Sequence, residues 1–469
     1  MKRRKLEEAL SEISDAHIAE AARAKKKRKP WLGAIAAVLV LVVLFQFIDI
    51  PMVIASEVVS KASDPRITER PDLDDFPDRD AWRQELDKWD IELQQRASVS
   101  ETALSQMQNF FKNSCLEFLS DSSANQLYSP INAYIGLAMC AELTAGQTRQ
   151  QILDTLGVAD LATLRQQISA LWETAYRDNG NEICTLANAL WLDKSLSYSQ
   201  EVMDVLAQDY YASVYRQNLS GRQVTKDIQA WLNNNTGGLL RDSVNGIQLP
   251  EEAVLALYST IYFQSKWQNE FSAAKNTRAT FHAPTGDITC TFMNQKLQQM
   301  NYYWGEDYGA VSLGLKNGSK MWFILPDEGK TIDDVLASDE YLRMIAAPYE
   351  GWENTKYMKV NLSVPKFDIL AKQDLRSGFE NMGITDMFQY ETADFSEAFD
   401  GQVFMTAANQ AVRVEIDEQG VKAAAYIEFP GTGAAAPPEE IIDFVLDRPF
   451  LFVISDSGIP LFAGAVNQP

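Results

Sequence analysis

The sequence predicts an α+β fold, on three observations. Helix-like and strand-like stretches follow one another irregularly, without the strict alternation of a doubly wound sheet. Two runs, residues 253–263 and 450–454, are almost continuously apolar, as strands covered on both faces are. The 22 Phe, 17 Tyr and 10 Trp supply enough aromatic surface for a large core, which excludes a chain disordered throughout.

From the N-terminus, residues 1–30 carry ten Lys/Arg against five Asp/Glu, although the whole chain has a net charge of −22. This basic segment is expected to be a cytoplasmic tail that also attracts anionic lipid. It runs into residues 31–48, which hold no charge. As a helix they would span roughly 27 Å, close to a bilayer core, with Trp31 at the interface. Basic residues on one flank predict the N-terminus inside and the body outside, so the chain is expected at the cell membrane as a single-pass protein with its body extracellular. A signal peptide cleaved near Ile54-Ala55-Ser56 is the alternative, for which a thirty-residue charged lead is long. Residues 49–100 read as a charged linker. Within it Trp82, Leu86, Trp89 and Leu93 recur at helical spacing after Asp80, a short helix that packs on the body or serves as a self-association stalk.

Residues 101–469 form the body. Helices are expected at 103–119, 129–143, 148–156, 200–210 and 222–233, the third capped by Gly157. Strands are expected at 187–192, 253–263, 321–325, 359–367, 403–416 and 450–454.

Composition removes several function classes. An acidic chain argues against nucleic acid as a partner. Only His17 and His282 occur, and Cys115, Cys140, Cys184 and Cys290 are far apart with no CxxC. No metal site and no cofactor are therefore expected, and the cysteines are expected to be buried free thiols. No GxSxG, P-loop, HExxH or dinucleotide fingerprint is present, so the protein is not expected to be an enzyme.

A series of motifs then falls in one order along the body. They are Tyr128-Ser129-Pro130-Ile131-Asn132, Gly146-Gln147-Thr148, the stretch from Gln151 to Gly157, Ile261 to Trp267, Phe323 to Glu328, Met382 to Phe388 and Ala393 to Ser396. Val414 to Gly420, Arg448-Pro449-Phe450 and Pro460 to Gly464 complete the set. Together they resemble the serpins, serine protease inhibitors, over essentially all of residues 101–469. The resemblance implies three β-sheets, eight or nine helices and an exposed reactive loop on a metastable, monomeric body. The membrane anchor and the lack of histidine in the polar cluster that the family keeps beneath its main sheet make the chain resemble a bacterial membrane-anchored inhibitory serpin.

The loop can be judged on its own residues. Val421, Ala423, Ala425, Ile427 and Phe429 are apolar, while Lys422, Ala424, Tyr426, Glu428 and Pro430 between them are mixed. That period of two belongs to a strand with one buried face. Gly431, Gly433, Pro437 and Pro438 are loop residues. A segment patterned for burial yet punctuated as a loop is a conflict that marks function. The resemblance resolves it: the loop is bait for a serine protease, and after cleavage its first half inserts as a strand of the main sheet, carrying the acylated enzyme.

The same resemblance assigns the remaining positions. The hinge comprises Glu418, Gly420, Val421, Ala423, Ala424 and Ala425, with Lys366 as the partner of Glu418 and Trp267 where the sheet opens. The reactive bond is Ala434-Ala435 counted from the hinge, or Ala435-Ala436 counted back from Arg448. Alanine before the bond suits the shallow pocket of an elastase-like or subtilisin-like protease. Pro430 departs from the pattern, because it removes one ladder hydrogen bond late in insertion. Ser129, Asn132, Ser259 and Gln410 are the expected polar cluster beneath the sheet. The alternative reading is a serpin-fold surface protein that binds without inhibiting.

Overall fold

The computed structural model describes residues 56–63, 71, 76–96, 101–120, 123–178, 183–347, 351–421 and 439–469. Residues 54–469 make one compact unit. The basic tail, the expected anchor at 31–48 and the loop at 422–438 lie outside the described residues. Among those described, no helix is long and apolar enough to cross a membrane.

Two sheets carry the body. The first holds β1 (Glu57–Ser60), β3 (Arg177–Asp178), β4 (Ile183–Asp193), β5 (Ala212–Gln217), β6 (Leu255–Lys266), β12 (Phe367–Asp374), β13 (Asn409–Ile416) and β14 (Gly420–Val421). Its order is β1-β5-β4-β6-β14-β13-β12, with β3 alongside β4. The second holds β2 (Gln126–Tyr128), β7 (Thr277–Ala283), β8 (Gly286–Trp304), β9 (Tyr308–Gly314), β10 (Lys320–Pro326), β11 (Thr355–Pro365), β15 (Ile441–Val445), β16 (Phe450–Asp456) and β17 (Ile459–Val466). Three sheets were expected, and two are found among the described residues. The cause is β8, whose 19 residues pair with β7 and β11 along most of their length and with β9 at their end, so two sheets fuse into one.

Helix α1 (Arg79–Arg96) precedes the body, and α2 (Glu101–Leu119) opens it. Helix α3 (Pro130–Leu143) begins with Pro at its first turn, where the missing N–H costs nothing, and is buried on nearly every residue. It packs on β6 and β17 and so lies between the sheets. Then come α4 (Gly146–Leu156), α5 (Leu161–Ala175), α6 (Gln200–Asp209), α7 (Arg222–Asn235), α8 (Arg241–Val244), α9 (Ile332–Ala337), α10 (Glu340–Ala346) and α11 (Arg376–Asn381). The body thus has ten α-helices among its described residues, not eight or nine. The excess comes from pieces such as α8, one turn long and too short to show a period.

Strands β16 and β17 are buried at every residue, as the apolar run 450–454 predicts for β16. Strand β6 departs from that expectation. Its odd residues Leu255, Leu257, Ile261 and Phe263 join the main core, whereas Ala256 and Tyr258 join a separate cluster beneath α7 with Trp191 and Trp231. Several of these β6 side chains are only half-buried. The expected strand at 403–416 starts at Asn409, because residues 403–408 pack as irregular chain.

Two expectations about the periphery also change. Residues 57–60, read as linker, form β1, which pairs antiparallel with β5. All four cysteines are free, but only Cys115, Cys140 and Cys184 are buried, and Cys290 is half-buried on β8. Burial pushes the Cys115 and Cys140 thiols up to about 12, which removes them as nucleophiles.

Candidate functional site: the hinge, the slot and the polar cluster

Strand β13 ends at Ile416, and the chain turns through residues 417–420. The Asp417 carboxylate accepts hydrogen bonds from the backbone N–H of Gln419 (2.8 Å) and Gly420 (3.2 Å). The Asp417 N–H donates to the Gly420 carbonyl across the turn (3.1 Å). An Asp side chain bonded to the backbone two residues on is the usual lock of a tight turn. Val421 then pairs with Ile416, which starts a new strand antiparallel to β13.

On its other side β14 meets β6, with Gly420 opposite Lys266 and Val421 opposite Ser265. The approach admits only glycine. A Cβ on Gly420 would lie 2.5 Å from both the Lys266 Cα and the Ser265 carbonyl oxygen. Trp267 is fully buried at this point. Its backbone N–H donates to the Gln419 carbonyl (3.1 Å), and its indole Nε1–H donates to the Asp417 carbonyl (2.9 Å). The Phe271 N–H donates to the Glu418 carbonyl (2.9 Å), so three of the four turn residues are fastened to the chain after β6.

The Glu418 side chain points the other way. Its Oε1 lies 2.5 Å from the Lys366 Nζ and also accepts from the Asn276 amide. The carboxylate is only 16% exposed. Burial alone would raise its pKa, but the hydrogen bonds from Lys366 and Asn276 outweigh burial and hold it below the usual carboxylate range.

Below β14 the sheet is split. Among the described residues, β6 and β13 form no backbone pair with each other, and only the two residues of β14 bridge them. The split is one strand wide at its top.

The polar cluster sits under this split in two halves. The Ser129 N–H donates to the Gln410 side-chain oxygen (2.8 Å), and the Gln410 amide donates back to the Ser129 carbonyl (3.1 Å). The Ser129 hydroxyl donates to the Leu461 carbonyl (2.7 Å). The Asn132 amide donates to the Ser259 carbonyl (3.0 Å), and the Ser259 hydroxyl returns a bond to Asn132. The start of α3 is therefore tied to β13 through Gln410 and to β6 through Ser259, one strand on each side of the split.

Of the positions singled out from sequence, Glu418, Gly420, Val421, Lys366 and Trp267 meet at one place, and Ser129, Asn132, Ser259 and Gln410 at another. Ala423, Ala424, Ala425, Ala434, Ala435 and Ala436 lie outside the described residues. Sequence reasoning missed Asn276 and Asp417. The Asp417-to-Gly420 spacing is a turn signal that could have revealed Asp417. Asn276 meets Glu418 only through the fold and has no local signal.

Comparison with known proteins agrees with this architecture. A family model described as serpin (serine protease inhibitor) matches residues 106–469. Plasminogen activator inhibitor 1 of Sus scrofa is 28% identical over 362 residues, covering 74% of this chain and 87% of that protein. Serpin-ZX of Arabidopsis thaliana is 26% identical over 373 residues, covering 74% and 93%. Among solved structures, the thermophilic serpin tengpin in its native state superposes with a TM-score of 0.69 at 23% identity, over 79% of this chain and 95% of that one. A thyroxine-binding globulin complex with thyroxine gives 0.65 at 22% identity, over 77% and 99%. These two likenesses concern the fold. The family match covers well over half of the sequence, and the chain belongs to the serpin family.

Proposed function

We propose that this chain is a suicide-substrate inhibitor of serine proteases with a shallow specificity pocket, elastase-like or subtilisin-like, held at the cell membrane by residues 31–48 with its body outside. The protease serine attacks the Ala434 carbonyl, the Ala434-Ala435 bond breaks, and the new amine leaves on Ala435. Cutting one residue later, at Ala435-Ala436, follows the same course. The acyl ester remains, and insertion of the freed strand outruns its hydrolysis.

One observation carries this reading. β6 and β13 do not pair with each other, and Gly420 and Val421 already pair between them. If that register continued, residue 423 would lie opposite Phe263 and residue 425 opposite Ile261, both core-facing residues of β6. The apolar odd positions of the loop match that face.

The test is to incubate the full-length chain with an elastase-type protease and examine the mixture after heating in SDS. A covalent complex supports the proposal, and a nicked chain without complex sinks it. A trypsin-type enzyme should give no covalent complex at a comparable rate, since residues 427–446 around the reactive bond hold no Lys or Arg.

A second reading, a serpin that binds without inhibiting, draws on the likeness to the thyroxine-binding globulin complex. It predicts the nicked chain alone.

A further inference from the structure

Strand β14 rests on a part of β6 that β4 does not support. Among the described residues, β4 reaches β6 only as far as Gln264, opposite Ile183. Gly420 and Val421 pair with Lys266 and Ser265, which lie beyond that point. A strand end paired on one side alone frays readily. Here the turn between β9 and β10 fills the other side. The Lys316 N–H donates to the Lys266 carbonyl (2.9 Å), the Gln268 N–H donates to the Gly314 carbonyl (2.8 Å), and Trp267 lies opposite Leu315. The Asn317 N–H donates to the hydroxyl of the fully buried Ser265 (3.3 Å).

The turn is itself held by a buried ion pair. Arg177, on β3, donates from Nη1 to the Asn317 carbonyl (3.0 Å) and to the Asp456 carboxylate, and from Nη2 to the same carboxylate (3.4 Å). Asp456 ends β16 and is 3% exposed. It also accepts from the hydroxyls of Ser319 (2.9 Å) and Ser457 (3.0 Å). One guanidinium therefore joins the first sheet, the turn and the second sheet. An ion pair this buried gains little stability over apolar residues of the same volume. An apolar pair, however, cannot hold the Asn317 carbonyl, and with it the turn, in one place, as a planar guanidinium fork does.

We infer that Arg177 and Asp456 are positioning residues for trapping. They fix the turn at residues 315–319, the turn fixes Ser265 to Gln268, and the cleaved loop starts its pairing on that platform. The inference rests on the inhibitory reading above. The bonds just described connect the pair to β14 only through the turn and β6. The pair therefore bears on insertion, which starts from β14, and not on cleavage of the loop.

The test uses the full-length chain carrying Arg177→Met, Ser319→Ala and Asp456→Leu together, which removes both charges and the Ser319 hydroxyl that would lose its acceptor. Three quantities are read: the urea midpoint, the rate of cleavage by an elastase-type protease, and the ratio of nicked chain to complex after heating in SDS. The midpoint and the cleavage rate are expected to stay close to those of the unsubstituted chain. The ratio is expected to rise about tenfold, the effect of one lost hydrogen bond to a charged group. An unchanged ratio overturns the inference, because the pair then only packs. Should the triple variant melt much lower, Arg177→Lys decides, since it keeps the charge but presents no fork. Faster amide exchange of residues 264–268 in that variant, with residues 255–263 unchanged, supports the inference, and unchanged exchange overturns it. Failure of the unsubstituted chain to form any SDS-stable complex overturns the inhibitory reading instead, whatever the exchange result, and the role in trapping falls with it.

Discussion

The Glu418 carboxylate lies 2.5 Å from the Lys366 ammonium at the base of the hinge, at a site where little of the acid reaches solvent. Glu418 belongs to the turn that Trp267 and Phe271 also fasten, and Lys366 follows β11 directly, so this pair bonds the hinge to the joint between the two sheets. Exposed pairs contribute little, but an acid this shielded loses a charge-assisted partner that water replaces poorly. Lys366→Ala should lower stability by about 1–2 kcal/mol in urea melts at pH 7. An unchanged midpoint would show the pair to be idle.

The same carboxylate sets a pH dependence. Its pKa in the folded state is lowered, so its stabilisation is present above the ordinary glutamate value of about 4.3 and is lost as pH falls through the folded value. Thermal melts of the chain should therefore fall more steeply below about pH 4.3 than melts of Glu418→Gln, whose amide does not titrate. Parallel curves for the two proteins would locate the acid response elsewhere.

Gly420 is constrained by its neighbours more than by its turn. Its missing Cβ faces two backbone atoms, which cannot move aside as a side-chain tip can. Gly420→Ala should cost about 1–3 kcal/mol and loosen the first pairs of β14 with β6. It is expected to raise the proportion of cleaved to trapped chain in protease assays, because in the proposed mechanism insertion would begin at those pairs. Retention of both stability and trapping would show that β14 does not start insertion.

The polar cluster holds the split from beneath. Gln410→Ala leaves the Ser129 N–H unpaired in a buried place, while the Ser129 carbonyl keeps only its bond from the Ala133 N–H, which should cost about 1–3 kcal/mol. Ser129, Asn132, Ser259 and Gln410 include no group that titrates near neutrality. The rate at which the intact chain converts to an inactive, inserted form should thus be flat from pH 6 to pH 8, and faster in Gln410→Ala than in the unsubstituted chain. A rate that changes with pH over that range would place a titrating group in control of the split.

How far the sequence alone reached follows from where each signal lies. The signals for the turn at Asp417–Gly420 and for the strand pattern after it are both local to a single stretch of residues, although only the strand pattern was read from it. The meeting of Ser129 with Gln410 and of Asn132 with Ser259 depends on a fold that only the family likeness suggested. Asn276 carries no pattern, since Glu418, the functional residue it bonds, arrives from a turn distant in sequence. β1 escaped for a related reason. Glu57-Val58-Val59-Ser60 is short, and its partner β5 is joined to it by no hairpin that a turn could announce. Fusion of the sheets was hidden in β8, where Lys296, Gln298 and Gln299 on exposed positions mask one long strand.

The facing of the loop yields the sharpest test of insertion. Directly opposed residues of antiparallel strands point to the same side of the sheet. Val421 is buried opposite the buried Ser265, and Phe263, which the same register sets opposite residue 423, packs edge-on against Phe462 of β17. On continued pairing residue 425 would face Ile261 in the main core, whereas residue 424 would face Tyr262, which is half-buried and bonded to Gln264 on the other side. A carboxylate at 425 would enter an apolar core with no cation to pair with, at a cost of several kcal/mol. Ala425→Glu should leave cleavage by an elastase-type protease intact and reduce the trapped fraction at least tenfold, while Ala424→Glu should reduce it much less. Equal trapping by the two variants would show that the register of Gly420 and Val421 does not continue down the split, and that the freed loop inserts on another alignment or not at all.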